Sequence, residues 1–295
     1  MRYFSLAIYF NEPTAHIDNI VDFPMQTISL TDSQKHYGRG NLALLLIDNE
    51  YGSAVVSLQG GQLLSYRRKR DQREFLWLSD DAIFEEGKAI RGGVPICLPW
   101  FGPKQGKPQH GFARSQLWQQ RDGESHFDFS GTSEHFNHRF CADLRMEFTD
   151  ELTLTLTVTN LEDRAMPLSW ALHSYHPVAD IHTARIQGLD GFEYLDNTRG
   201  LNRARQVGDV EFAGETDRAY LSVGDRQTIA GAFEVIADNA ASAVVWNPGE
   251  ALAEKMSDLS DYRYFVCLER GQVFEDANDL GPNKSTQASV IVRAL

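Results

Sequence analysis

From Leu152 to Thr159 apolar and hydroxyl side chains alternate without interruption. Leu152, Leu154, Leu156 and Val158 fall on one side, and Thr153, Thr155, Thr157 and Thr159 on the other. A period of two is the mark of a half-buried antiparallel strand. Apolar runs of strand length recur on both sides of it. Before it lie residues 42–48, 53–68 (interrupted by Gly60 and Gly61), 74–79, and a hairpin of 116–123 with 125–131 turning at Gly123. The alternating run covers 139–162 and continues in 166–177; residues 185–197, 227–239, 242–248, 262–269 and 286–295 follow. Gly, Asp and Asn punctuate them, as turns require. No apolar spacing of 3.6 residues is sustained, so only short helical turns are expected, near residues 80–86 and 250–259. Many short strands with polar turns predict an all-β sandwich or barrel. One large antiparallel β-sandwich domain spanning residues 1–295 is the economical arrangement. Residues 1–40 form an extension with little signal: 1–10 read as a strand at most, and 16–23 are weakly periodic.

Residues 91–114 break this pattern. The stretch holds five glycines and four prolines among the apolar residues Val94, Ile96, Leu98, Trp100, Phe101 and Phe112. Pro95, Pro99, Pro103 and Pro108 exclude a helix and disfavour a regular strand. A loop this long in a compact chain is functional or disordered, and its apolar content argues for order. Arg91, His110 and Arg114 are therefore candidates to face a ligand; the alternative is a crossover whose arginines make salt bridges.

Charge sharpens the picture. The chain carries a formal −13, which disfavours nucleic acid or an anionic membrane as partner. Yet residues 62–114 hold ten Lys or Arg against six Asp or Glu. A locally basic region in an acidic protein points to a small anionic ligand. The run Arg67, Arg68, Lys69, Arg70 and Arg73 reads more simply as a solvated turn. Three widely spaced cysteines, Cys97, Cys141 and Cys267, fit a reducing compartment. No signal-peptide pattern and no apolar run of about 18 residues is seen, so a soluble cytoplasmic protein is expected.

The chemistry-bearing residues are few. His173 in SWALHSYHP shares a strand face with Ala171 and Tyr175, while Leu172, Ser174 and His176 take the other. An imidazole titrating near 6.5 can serve as acid or base; a core histidine held by one hydrogen bond is the plainer reading. Glu269 ends the apolar run YFVCL, where a carboxylate is costly unless paired or functional, although strand ends commonly meet solvent. The HxxH spacings at His135/His138 and His173/His176 put the two rings on opposite faces of a strand, so neither makes a metal site. No Cys–His cluster, nucleophile elbow, Walker loop or dinucleotide fingerprint is present. Cofactor-free acid–base chemistry is the expectation.

The ordered set AIRGGVPICLPWFGP, QHGFAR, ALHSY, ETDRAYL, VVWNPG and FVCLE resembles the D-hexose-6-phosphate mutarotases (glucose-6-phosphate 1-epimerases), a branch of the aldose 1-epimerase superfamily. The likeness runs from about Leu42 to the C-terminus. It implies a sandwich of the galactose-mutarotase type, no cofactor or metal, and a sugar phosphate as small-molecule partner of a monomer or weak dimer. It also implies roles. His173 would protonate the ring oxygen, and Glu269 would take the anomeric hydroxyl proton. Arg91, Gln109, His110, Arg114 and Asp217 would bind substrate, with Lys88, Arg91 and Arg114 as candidates for the phosphate. His176 and Arg270 depart from the pattern, since relatives often carry an apolar residue and proline there. A carboxylate and an imidazolium, with unperturbed pKa values near 4.3 and 6.5, would coexist in a window that their attraction widens. Trp100 and Trp246 are candidate apolar walls under the sugar. A non-catalytic sugar-phosphate binding protein, and a glycoside hydrolase or lyase on a similar sandwich, are the competing readings.

Overall fold

The computed structural model describes residues 25–121, 123–133 and 135–295, so the expectations for 1–10 and 16–23 lie outside the described residues. Two eight-stranded antiparallel sheets make the body. The first runs Asn202–Arg205, Glu193–Asp196, Thr216–Tyr220, Ser242–Asn247, Phe265–Gln272, Trp170–Leu172 and Ile96–Cys97, with Tyr175–Pro177 also paired to Phe265–Gln272. The second runs Ile186–Gln187, Arg226–Ile229, Phe233–Asp238, Ser285–Ala294, Leu152–Asn160, Phe136–Phe148, His126–Ser133 and Gln119–Gln120. A four-stranded sheet (Thr27–Asp32, Ala43–Asp48, Gly52–Ser57, Gln62–Arg68) and a small pair, Met166–Leu168 with Asn278–Leu280, complete it.

The alternating run becomes the hairpin Phe136–Phe148/Leu152–Asn160. Leu154 faces Met146, Leu156 faces Leu144 and Val158 faces Ala142 across it, all buried. The threonines between them are half-exposed. This buried face joins one core with Val245, Val266 and Leu268 of the first sheet, which is the sandwich the period-two pattern requires.

Several expected elements differ. Residues 74–79 form no strand, only isolated bridges at Glu74 and Leu78. Phe75 and Leu76 are buried consecutively, and Trp77 spreads its backbone bonds between Tyr175 and Gly93, so no single partner strand exists. The 80–86 turn is not helical, and only Gly249–Ala253 of 250–259 is. A helix at Ser33–Tyr37, capped by the Asp32 carboxylate, carried no signal in the pattern. Of 116–123 only Gln119–Gln120 is strand, and 166–177 is split into three short pieces.

The Pro/Gly-rich segment is irregular except for Ile96–Cys97, which pairs with Ala171–Leu172. It is tied down on both sides: Val94 N–H donates to Leu63 O, and His173 N–H to Pro95 O. Gly93 shows why glycine stands here: its φ is +63°, and a Cβ would meet Leu63 O at 2.1 Å. Val94, Ile96, Leu98, Trp100 and Phe112 are buried anchors. Phe101 instead lies half-buried on the opposite side. The Arg67–Arg73 run makes structural ion pairs, Arg68 with Asp71, Lys69 with Asp48 and Arg70 with Asp150. Among the described residues no helix is long and apolar enough to cross a membrane.

Candidate active site

The strand Phe265–Gln272 is central in the first sheet, between Trp170–Leu172 with Tyr175–Pro177 on one side and Ser242–Asn247 on the other. The pairs Leu172↔Arg270 and Tyr175↔Cys267 keep one register across the break at His173–Ser174. That register sets His173 opposite Glu269. On the far side Glu269 faces Val244, and Val244 faces Ala219. One row along, Tyr175, Cys267, Trp246 and Asp217 align in the same way. Two adjacent rows of one sheet face thus gather an imidazole, two carboxyls, a phenol and a thiol from positions far apart in sequence.

These rows floor a cavity of about 520 Å³, within the range of small-molecule sites. Its lining includes Arg91, Gln109, His110, Arg114, His173, Asp217 and Glu269, so all but one of the candidate residues converge there. Lys88 is the exception: it is exposed on a turn and does not line the cavity. Trp246 is a half-buried wall, whereas Trp100 is core, its Nε1–H donating to Pro108 O. Tyr175, Asn197 and Asp258 complete the surroundings. Of these only Tyr175 was legible beforehand, as the face-mate of His173.

His173 Nδ1 lies 3.2 Å from Glu269 Oε1. The approach is off the line of a hydrogen bond, and His173 Nδ1 and Glu269 Oε2 are buried without a hydrogen-bond partner among the described residues. Unpaired buried polar atoms are costly, and at a cavity wall they mark where a ligand's polar atoms belong. Burial first, then His110, Arg114 and Arg91, hold the His173 imidazole well below its usual range. Burial first, then Asp217, pushes the Glu269 carboxyl well above its own, with Arg114 opposing. The window of opposite charges expected from the sequence is therefore not widened: desolvation outweighs attraction, and both groups favour their neutral forms. One proton is still shared between the two, the same inventory as a carboxylate facing an imidazolium.

The surrounding groups are oriented in turn. His110 has φ +60° and its Nδ1 accepts from Gly102 N–H at 3.2 Å, so the proton of the neutral ring sits on Nε2. Burial, Arg114 and Arg91 take its pKa down to about 3. Arg91 is clamped by Asp258 at 3.0 Å and donates to Tyr175 Oη at 3.1 Å. Arg114 donates to Gln109 O at 2.8 Å, and no carboxylate lies within ion-pair distance of it among the described residues. Asp217 accepts from Asn197 at 2.6 Å, and burial raises its pKa. The sequence shows no Cys–His cluster, yet the fold makes one: a nitrogen of His173, the sulfur of Cys267 and an oxygen of Glu269 all lie within 4.8 Å of one another.

Residues 43–293 match the family model described as aldose 1-epimerase. The chain belongs to the aldose 1-epimerase family. Relatives of this epimerase from Salmonella typhimurium and Cenchrus ciliaris carry the name "Putative glucose-6-phosphate 1-epimerase". The first is 34% identical over 247 residues, covering 78% of this chain and 83% of the relative. The second is 32% identical over 269 residues, covering 82% and 81%. A crystal structure from Salmonella typhimurium described as a "putative mutarotase" superposes with a TM-score of 0.76 at 30% identity, over 86% of this chain and 90% of that one. The epimerase thus has the galactose-mutarotase type of β-sandwich.

Proposed function

We propose that this epimerase interconverts the α and β anomers of a hexose 6-phosphate, glucose 6-phosphate in the first instance, without a cofactor. The observation that carries the reading is the His173–Glu269 pair, 3.2 Å apart on the floor of a cavity that also holds two guanidinium groups. The names of the relatives support the phosphate in the substrate.

Glu269, as carboxylate, takes the proton of the anomeric hydroxyl. The C1–O5 bond breaks, and the ring oxygen receives a proton from imidazolium His173. The carboxyl and the neutral imidazole then face an open-chain aldehyde, the charge state that burial favours in the free cavity. Rotation about C1–C2 presents the other carbonyl face, and closure returns both protons. No proton is gained or lost. Each positioned acid or base contributes typically about 10²–10⁴-fold. A planar guanidinium matches two phosphate oxygens; Arg114, with no carboxylate partner, has donors to offer, and Arg91 is held rigid by Asp258 and Tyr175. Gln109, His110 and Asp217 bind sugar hydroxyls in this reading.

The test dissolves pure α-glucose 6-phosphate and follows the anomeric proton signals by NMR with and without the protein, then repeats the run with plain glucose. Faster approach to equilibrium with the phosphate ester supports the proposal. Binding without acceleration would select the non-catalytic reading, and acceleration with glucose alone would remove the phosphate from it.

A further inference from the structure

Beside the acid–base pair sits a thiol that ring opening does not use. Cys267 is two residues before Glu269 on the same strand face and opposite Tyr175. A nitrogen of His173, the Cys267 sulfur and an oxygen of Glu269 lie within 4.8 Å of one another. Imidazole, thiolate and carboxylate together form a donor set suited to a borderline-soft, four-coordinate cation. Bonds of about 2.0–2.3 Å place tetrahedral ligands roughly 3.5 Å apart, so atoms within 4.8 Å of one another need to close by at most about 1.3 Å. A second, independent observation points the same way: His173 Nδ1 and Glu269 Oε2 are buried side-chain atoms without a hydrogen-bond partner among the described residues. His173 is 7% exposed and Glu269 1% exposed, and both face the cavity.

We propose that His173, Cys267 and Glu269 form a binding site for one thiophilic divalent cation of the Zn²⁺ and Cd²⁺ class, and that its occupation stops the epimerase. The fourth coordination position opens on the cavity, where water completes the shell in the space the sugar would otherwise fill. Binding displaces the thiol proton and any carboxyl proton to solvent, and nothing is oxidised or reduced. Arg91 and Arg114 oppose the cation, while the bound thiolate and carboxylate together with Asp217 offset them. With the imidazole and the carboxylate both used as ligands, neither can exchange a proton with the sugar. Only the inhibitory half rests on the function proposed above; the site stands or falls by binding alone.

The other cluster of this kind among the described residues, His126, Asp128 and Asp143, has no thiol, and Arg121 already pairs with both its carboxylates. A thiolate signal therefore separates the two. The experiment titrates Cd²⁺ into the full chain carrying Cys141→Ser, which removes the half-exposed thiol, and follows the ultraviolet thiolate-to-cadmium charge-transfer band. The expected result is a saturable band at one Cd²⁺ per chain, kept when Cys97→Ser is added and lost when Cys267→Ser is added. Glucose 6-phosphate should shift the midpoint to higher Cd²⁺. His173→Asn, which keeps the thiol, should weaken the midpoint by about 10–100-fold, and this guards against a Cys267 variant that does not fold. Absence of a saturable band, or a band indifferent to both Cys267→Ser and His173→Asn, would overturn the site. Mutarotation that continues at saturating Cd²⁺ would overturn the inhibition, whereas a protein with the band but no mutarotation of its own would instead remove the proposed function.

Discussion

The central strand Phe265–Gln272 and its neighbour bury ionisable side chains on both faces, and the two faces treat them differently. On the cavity face His173 and Glu269 keep polar atoms without partners and are held away from their ordinary protonation. On the face toward the second sheet Arg270 is 1% exposed, yet each of its nitrogens is used. It donates to the carbonyls of Ser242, Asp225, Gly224 and Ala240 and to the side chain of Gln227. Burial takes its pKa down to about 10, with the Asp225 carboxylate opposing. His176 on the same face has one partner, Phe75 O at Nδ1, leaves Nε2 unpaired and lies tilted against Phe233; burial takes its pKa down to about 4. Burial alone therefore does not distinguish a site from a strut. The distinguishing mark is the opening: the unpaired atoms of His173 and Glu269 belong to residues that line a cavity, whereas the unpaired Nε2 of His176 is sealed in the core.

The sharpest way to break this contrast is on the cavity face. Glu269→Gln and His173→Asn should each lower kcat for anomerisation by about 10²–10⁴-fold while the protein stays folded. The double variant should be little worse than the poorer single one, because the two groups act as a unit. Two-dimensional NMR exchange between the anomers of glucose 6-phosphate measures it, and unaltered rates in either single variant would reject the assigned roles.

The same strands should respond through stability on their inner face. Arg270→Met keeps a long apolar stem but leaves several buried carbonyls and Gln227 without a donor, at a cost of about 2–5 kcal/mol. Urea unfolding followed by circular dichroism should show that loss. If Arg270→Met is as stable as the parent, the strut reading fails.

His176 sharpens the comparison by its pH dependence. Its folded pKa lies below the unfolded value near 6.5, so its neutral form stabilises the fold above pH 6.5, and that contribution is lost as pH falls toward about 4. The linkage amounts to about 2–3 kcal/mol between pH 7 and 4.5. His176→Phe should remove this share of the acid sensitivity, leaving that of His110 and His173. Identical slopes of unfolding free energy against pH in parent and variant would contradict it.

The period-two runs were legible because a half-buried strand writes its environment into alternate side chains, as the 152–159 stretch does. Local parity also separated His173 from His176 correctly. Three features were not legible. Residues 74–79 are apolar enough for a strand, but their backbone bonds go to several partners. In Phe265–Gln272 seven of the eight residues are buried, so no alternation tells which face of Glu269 or Arg270 meets the cavity. Asp258, which clamps Arg91 across 167 positions, lies in a polar turn like many others. What the chain determined by itself was element type and the parity of side chains within each strand, because these follow from spacing along one backbone. What only the tertiary structure decided was the row of His173 against Glu269 and Cys267. That row depends on inter-strand register, and register is set by non-local packing rather than by neighbours in sequence.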